Sequence, residues 1–305
     1  MLMWRKPASF KAYNSHIKKW FIFSKEKDIP NTAASTGNIL DFLQTYVDKG
    51  LSHSSVANAR AALGSFVHIT DGPEISKNVD IAQFIRGAFH FKPPRAKHTA
   101  VWDTSLVLQK LKECEDIYDL PLLVLSQRLC VLILLVSGQR VQYLHGLTLD
   151  DLKQQNGCYT LSINPAVLKQ ARPGFQLKSL SFGKFSCEGI CVASHLDIYT
   201  HRTRKIRKDV KQLLITTTEP FGPASKDTVS RWTKDCLHKC GVDMSTFGPN
   251  SCRSASTSKA YAANVPIDTI MQAAGWARPS TFSKFYKKEI KVVNVFGNAV
   301  LADHN

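Results

Sequence analysis

Acidic side chains are scarce in this sequence, with 24 Asp and Glu against 40 Lys and Arg and a formal net charge of +16 over 305 residues. That shortage favours a polyanion as partner, because neutralising one releases its counterions. Nucleic acid, acidic proteins and anionic membrane surfaces all fit the description. Long apolar runs are also lacking. The most apolar stretch, residues 120–136, is interrupted by Gln127 and Arg128, leaving a pure run of residues 129–136 that is too short to span a bilayer. It reads as a buried helix, and no membrane partner is expected. Met1 to Pro7 has no hydrophobic signal core, so an intracellular protein is expected.

A disulfide framework is missing as well. Eight cysteines at irregular intervals in a chain of this length read as reduced thiols. Two spacings raise a zinc reading, Cys187 and Cys191 with His195 beyond, and Cys236 and Cys240 around His238. Structural zinc ligands come in pairs on turns, whereas Cys236 and Cys240 fall four apart on one face of a predicted helix. Buried thiols are therefore expected, with no metal and no cofactor.

What is present divides near residues 90–100. Apolar residues Phe10, Tyr13, Ile17, Trp20 and Phe21 recur at helical spacing over residues 9–25. The pattern returns at 38–46, 54–69 and 81–91, giving a helical first domain over residues 1–91. Lys92-Pro93-Pro94-Arg95 then breaks the helical pattern and opens an exposed linker over 92–100. Residues 1–95 carry 13 basic and 7 acidic side chains, and the remainder 27 and 17, so both parts are basic. A second domain over 101–305 reads as mainly α with a small antiparallel β-sheet. Helices are expected at 104–113, 120–136, 192–205, 226–240, 251–263, 267–274 and 281–288. Strands are expected at 159–163 and 177–182, with a turn-rich segment between them.

Three separated segments of this second part carry residues suited to phosphate chemistry. They are Ser137-Gly138-Gln139-Arg140, Asn250-Ser251-Cys252-Arg253, and Gly275-Trp276 followed ten residues later by Tyr286. Each is ordinary alone. In order and spacing they resemble the Arg, His-x-x-Arg, Gly-His/Trp, Tyr series of the tyrosine recombinase (phage integrase) family. Lys169 to Gly174, Ser225 to Trp232 and Arg253 to Ser258 extend the resemblance over residues 9–290. It is most like the recombinases of eukaryotic DIRS-type retrotransposons and Cryptons.

The resemblance implies a helical core-binding (SAM-like) domain and a catalytic domain that together close on double-stranded DNA, as a homotetramer on two duplexes in the nucleus. Arg140 and Arg253 would clamp the scissile phosphate, since arginine stays charged and its fork binds two oxygens. Tyr286 would be the nucleophile, with Lys284, Lys287 and Lys288 near it as sources of positive charge. Phe285, the residue at the commoner family spacing, has no hydroxyl. Lys169 matches the lysine that protonates the leaving 5′-oxygen, and Trp276 the His/Trp position, where an indole N–H can donate to phosphate. Lys18, Lys19, Arg60, Arg172, Lys226 and Arg231 are the expected DNA contacts.

Two positions depart from the family pattern. Asn250 stands where the family has His, and an amide does not shuttle protons near neutral pH. Tyr143 stands where an acidic residue is common. The alternative expectation is therefore a catalytically impaired DNA-binding protein of the same fold.

Overall fold

The computed structural model describes residues 7–93, 100–113, 116–162, 179–276 and 278–291. The chain divides into two compact units, Met1–Lys97 and His98–Asn305.

The first unit is built from helices α1 (Pro7–Glu26), α2 (Thr36–Asp48), α3 (His53–Leu63) and α4 (Val79–Phe91). Three of the helix starts are written locally: Ser35, Ser52 and Asn78 each accept a hydrogen bond from a backbone N–H in the first turn. Trp20, Ile39, Phe42, Leu43, Leu63 and Ile81 form its interior. The Trp20 indole packs edge-on to Phe42 at 5.2 Å and donates to the Asn31 carbonyl at 2.8 Å, so its polar atom is satisfied where its ring is buried. The helical pattern expected over 54–69 stops at Leu63. There the chain turns through Gly64 so that β2 (His68–Ile69) can pair in parallel with β1 (Ala33–Ala34).

The second unit begins with β3 (Ala100–Trp102) and α5 (Thr104–Lys112) and centres on α6 (Leu122–Ser137). Leu125, Leu129, Cys130, Leu132, Ile133 and Leu134 of α6 are buried on several faces of the helix, as its apolar run requires. Helices α8 (Val192–Thr203), α9 (Lys226–Lys239) and α10 (Ser251–Ala262) pack around it. Cutting Leu129 back to alanine at such a position costs about 2–5 kcal/mol.

The small sheet has three antiparallel strands, β4 (Leu152–Gln155), β5 (Cys158–Leu161) and β6 (Leu180–Phe182). The first strand is absent from the sequence expectation. Its hairpin turns on Asn156-Gly157, both at positive φ (51° and 72°), a signal the sequence does contain. Lys169 and Arg172 fall between β5 and β6, outside the described residues.

Short helix α7 (Val141–His145) follows α6, while α11 (Ile267–Ala274), α12 (Pro279–Phe285) and β7 (Glu289–Lys291) close the described chain. β7 pairs in parallel with β3, Ala100 opposite Glu289 and Trp102 opposite Lys291. Helix α12 ends at Phe285, short of the expected 288, so Tyr286 is its terminal cap and lies off the helix. Among the described residues, no helix is long and apolar enough to cross a membrane.

Candidate functional site

The loop between α6 and α7 is the first component. Gly138 ends α6 in the left-handed region at φ 61°, and a Cβ there would meet Thr257 Cγ2 at 3.4 Å. Glycine lets α6 and α10 approach while the chain reverses. Gln139 follows, buried, its Nε2 donating to the Ala273 carbonyl at 2.6 Å. Arg140 then occupies the cap position of α7 in extended backbone, with its Nη1 buried and without a hydrogen-bond partner.

Helix α10 supplies the second. Arg253 is 1% exposed, yet no carboxylate among the described residues pairs with it. Its Nη1 donates to the Gly138 carbonyl at 2.8 Å and its Nη2 to the Ala274 carbonyl at 2.7 Å, while Nε has no partner. One guanidinium thus staples the end of α6 to the end of α11. Burial, and then the like charge of Arg140, push its pKa down to about 10, which leaves it a cation at neutral pH.

The third component rests on a small apolar cluster of Ile270, Ala274, Trp276 and Phe282, with Tyr286 packed against it. Gly275, left-handed at φ 68°, stops α11 and turns the chain so that the Trp276 ring faces Arg253, 4.6 Å from the guanidinium carbon to the ring centroid. The Tyr286 ring packs against Trp276 at 4.5 Å with the ring planes tilted by 36°, and Arg253 lies 5.4 Å from its centroid. Ser258, one turn further along α10 from Arg253, donates to the Tyr286 carbonyl at 2.7 Å and accepts from the Lys288 N–H at 3.4 Å. These contacts take the Tyr286 backbone out of the helix.

The structure therefore brings Arg140, Arg253, Trp276 and Tyr286 together. Among the lysines expected beside Tyr286, Lys287 instead lies over the Tyr261 ring at 4.9 Å, and the side chain of Lys284 is outside the described residues. The described cation that faces the phenol is Arg253. Asn250 is exposed at the start of α10, its Oδ1 accepting the Val141 N–H at 3.4 Å. It ties α10 to the residue after Arg140. Lys18 and Lys19 are exposed on α1, and Lys19 lies 5.1 Å from the Tyr46 ring centroid. Arg60 is half-buried on α3, and Lys226 and Arg231 are exposed on α9.

Of the two cysteine pairs, Cys236 on α9 and Cys240 at its end are buried free thiols, as is Cys191, whereas Cys187 is only partly buried. Among the described residues, no group of three His, Cys, Asp or Glu side chains is placed to hold a metal ion.

Residues absent from the expected site also enter it. Eight buried side-chain atoms among the described residues lack a hydrogen-bond partner, and five belong to Gln139, Arg140, Tyr143, Arg253 and Trp276. Four of those five are donors: Arg140 Nη1, the Tyr143 hydroxyl, Arg253 Nε and Trp276 Nε1. Each such group buried without a partner costs about 1–3 kcal/mol. Unused donor atoms on two cations and two neutral side chains are suited to an oxyanion that accepts from them.

Residues 5–70 match the profile of the phage integrase N-terminal SAM-like domain. The comparison with curated proteins finds no match. Among solved structures, the chain is similar to the XerH site-specific recombinase bound to its difH substrate, at 16% identity and a TM-score of 0.54 over 88% of this chain and 70% of that one. It is similar to residues 75–356 of lambda integrase, a dimer bound to a COC′ core site, at 17% identity and 0.52 over 95% and 93%. The integrase of transposon Tn1549, in complex with transposon right-end DNA, gives 14% and 0.51 over 89% and 85%. The chain has the fold of these tyrosine recombinases, mainly helical with a small antiparallel sheet, and its first unit carries the phage integrase SAM-like domain.

Proposed function

We propose that the chain is a site-specific DNA strand transferase that cuts and rejoins double-stranded DNA through Tyr286. The observation that carries this reading is the pairing of two guanidiniums without a carboxylate partner among the described residues, Arg140 and Arg253, with a phenol packed on Trp276 beside them. A backbone phosphate seated there would accept from both arginines and from the Trp276 N–H. The Tyr286 oxygen attacks phosphorus as its proton departs, the bond to the 5′-oxygen breaks, and that oxygen takes up a proton. A 3′-phosphotyrosine and a 5′-hydroxyl result. The reverse attack by a 5′-hydroxyl restores the diester, so the bond energy is kept and no cofactor is consumed. Lys169 is assigned to protonate the leaving oxygen from the segment between β5 and β6.

In this reading the first unit supplies Lys18, Lys19 and Arg60 to the duplex, and the second Arg172, Lys226 and Arg231. The working form is a homotetramer on two duplexes. On the resemblance to DIRS-type and Crypton recombinases, we assign the reaction to mobile-element integration in the nucleus. The chain would then work at high local phosphate charge, which its net charge of +16 suits.

A second reading, DNA binding without cutting, is favoured by one observation. Asn250 brings no titratable group to the position where a proton carrier is wanted, and its side-chain oxygen is engaged by Val141. The two readings separate when the full chain is incubated with a library of random duplexes bearing internal nicks and the denatured protein is tested for attached DNA. An adduct that is lost in Tyr286→Phe supports strand transfer, and sequencing it gives the preferred site. Salt-sensitive duplex binding with no adduct supports the second reading.

A further inference from the structure

We infer that Tyr143 is a further donor to the same phosphate, a role that rests on the proposed seat at Arg140 and Arg253. Tyr143 sits in the first turn of α7, three residues after Arg140, and the residue is 2% exposed. Its hydroxyl is buried and has no hydrogen-bond partner. Both guanidiniums act on it: Arg140 and Arg253 favour its ionised form, against burial, which is the larger effect and raises its pKa. Arg140 comes close to the hydroxyl without reaching hydrogen-bond geometry. Arg253 feels the same phenol in return.

A buried hydroxyl within the field of two cations has a specific deficit. Guanidiniums can only donate to it, so its own proton lacks an acceptor. A phosphate oxygen bridging the two arginines supplies the acceptor. With burial keeping it protonated at neutral pH, Tyr143 donates and carries no charge. An acidic residue at this place would instead neutralise one arginine and repel the phosphate. Tyr143 thus leaves both cations free and adds a third direction of hydrogen bonding to the oxyanion.

The test uses the full chain and the Tyr143→Phe variant, which removes only the oxygen. Because that oxygen is unsatisfied in the free protein, its loss is expected to leave the urea unfolding midpoint unchanged or raised. Binding of inorganic orthovanadate, followed by calorimetry, is expected to weaken roughly tenfold, as for a hydrogen bond to a charged group. The rate of adduct formation on a duplex recovered from the nicked library should fall by at least as much, while duplex affinity stays within about twofold. A lowered unfolding midpoint with unchanged vanadate affinity would make Tyr143 a packing residue and overturn the inference. So would an unchanged adduct rate beside an active parent. If the parent binds vanadate with the Tyr143 dependence yet forms no adduct, the donor role stands and strand transfer falls. If the parent neither binds vanadate nor forms an adduct, both fall.

Discussion

Arg253 and Trp276 hold each other in place: the guanidinium carbon lies 4.6 Å from the indole centroid, and the same guanidinium grips the Ala274 carbonyl two residues before the tryptophan. Orientation of the ring and capture of the α11 terminus are a single event. The arginine is a structural staple as well as a candidate phosphate ligand, so substitutions there separate the two roles only if the fork is considered.

Arg253→Lys keeps the charge and loses the fork. An ammonium cannot match the two divergent bonds to Gly138 and Ala274. Losing one charge-assisted hydrogen bond to a buried carbonyl is expected to lower unfolding free energy by about 1.5–3 kcal/mol, read from urea unfolding. An unchanged midpoint would show that the staple is dispensable.

Ser258→Ala removes the hydroxyl that receives the Lys288 N–H and donates to the Tyr286 carbonyl. The turn at Tyr286 loses its tether to the helix that carries Arg253. Adduct formation is expected to slow by about tenfold or more, since small misplacements near a reacting centre are costly. Duplex affinity should hold. Equal losses in both would mean that the serine supports the fold as a whole.

Asn250→His introduces a group able to exchange protons near neutral pH. Adduct formation is expected to rise, and its rate to acquire a pH dependence near the imidazole pKa of about 6.5. A flat profile at the parental rate would mark the position as inert. The Val141 N–H, now bound by the Asn250 oxygen, sets the cost of the exchange.

His195 gives the second unit a titration that can be followed in the absence of DNA. It is fully buried on α8, where burial, and then Arg128 nearby, hold its pKa down at about 4 despite an opposing bond between its Nδ1 and the Cys191 carbonyl. At pH 7 the ring is neutral folded or unfolded and stability owes nothing to this difference. Below about 6.5 the unfolded chain gains a proton that the native ring refuses, so stability falls with pH until the native ring titrates near 4. The loss across that window is about 3 kcal/mol. Unfolding of His195→Asn should lack this slope, and an identical slope in both proteins would assign it to other groups.

Helices were legible in the sequence wherever one apolar face repeated, as in α2, α9 and α10, and α6 announced its central place by being apolar on nearly every side. The end of α12 was not, because it is set by Ser258 and by the backbone of Tyr286, partners 28 residues apart. The pairing of β3 with β7 joins three-residue strands from opposite ends of the second unit, too short for any alternation to register. Strand β4 is a different case, since Asn156-Gly157 announces its hairpin in plain view. In the site, spacing pointed to the two arginines, Trp276 and Tyr286. It did not reveal that Arg253 rather than a neighbouring lysine faces the phenol, nor that Tyr143 is buried with an unused proton. Both depend on which atoms lack partners, and a one-dimensional pattern contains no such information.

The pairing of β7 with β3 makes the chain around Tyr286 a span moored at both banks. Upstream it is fixed by α12 resting on α11, and downstream by a short ribbon beginning three residues after the tyrosine. The proposed nucleophile is thereby suspended between two fixed points only a few residues apart. Peeling away the ribbon would release the downstream point at the expense of only a handful of backbone bonds.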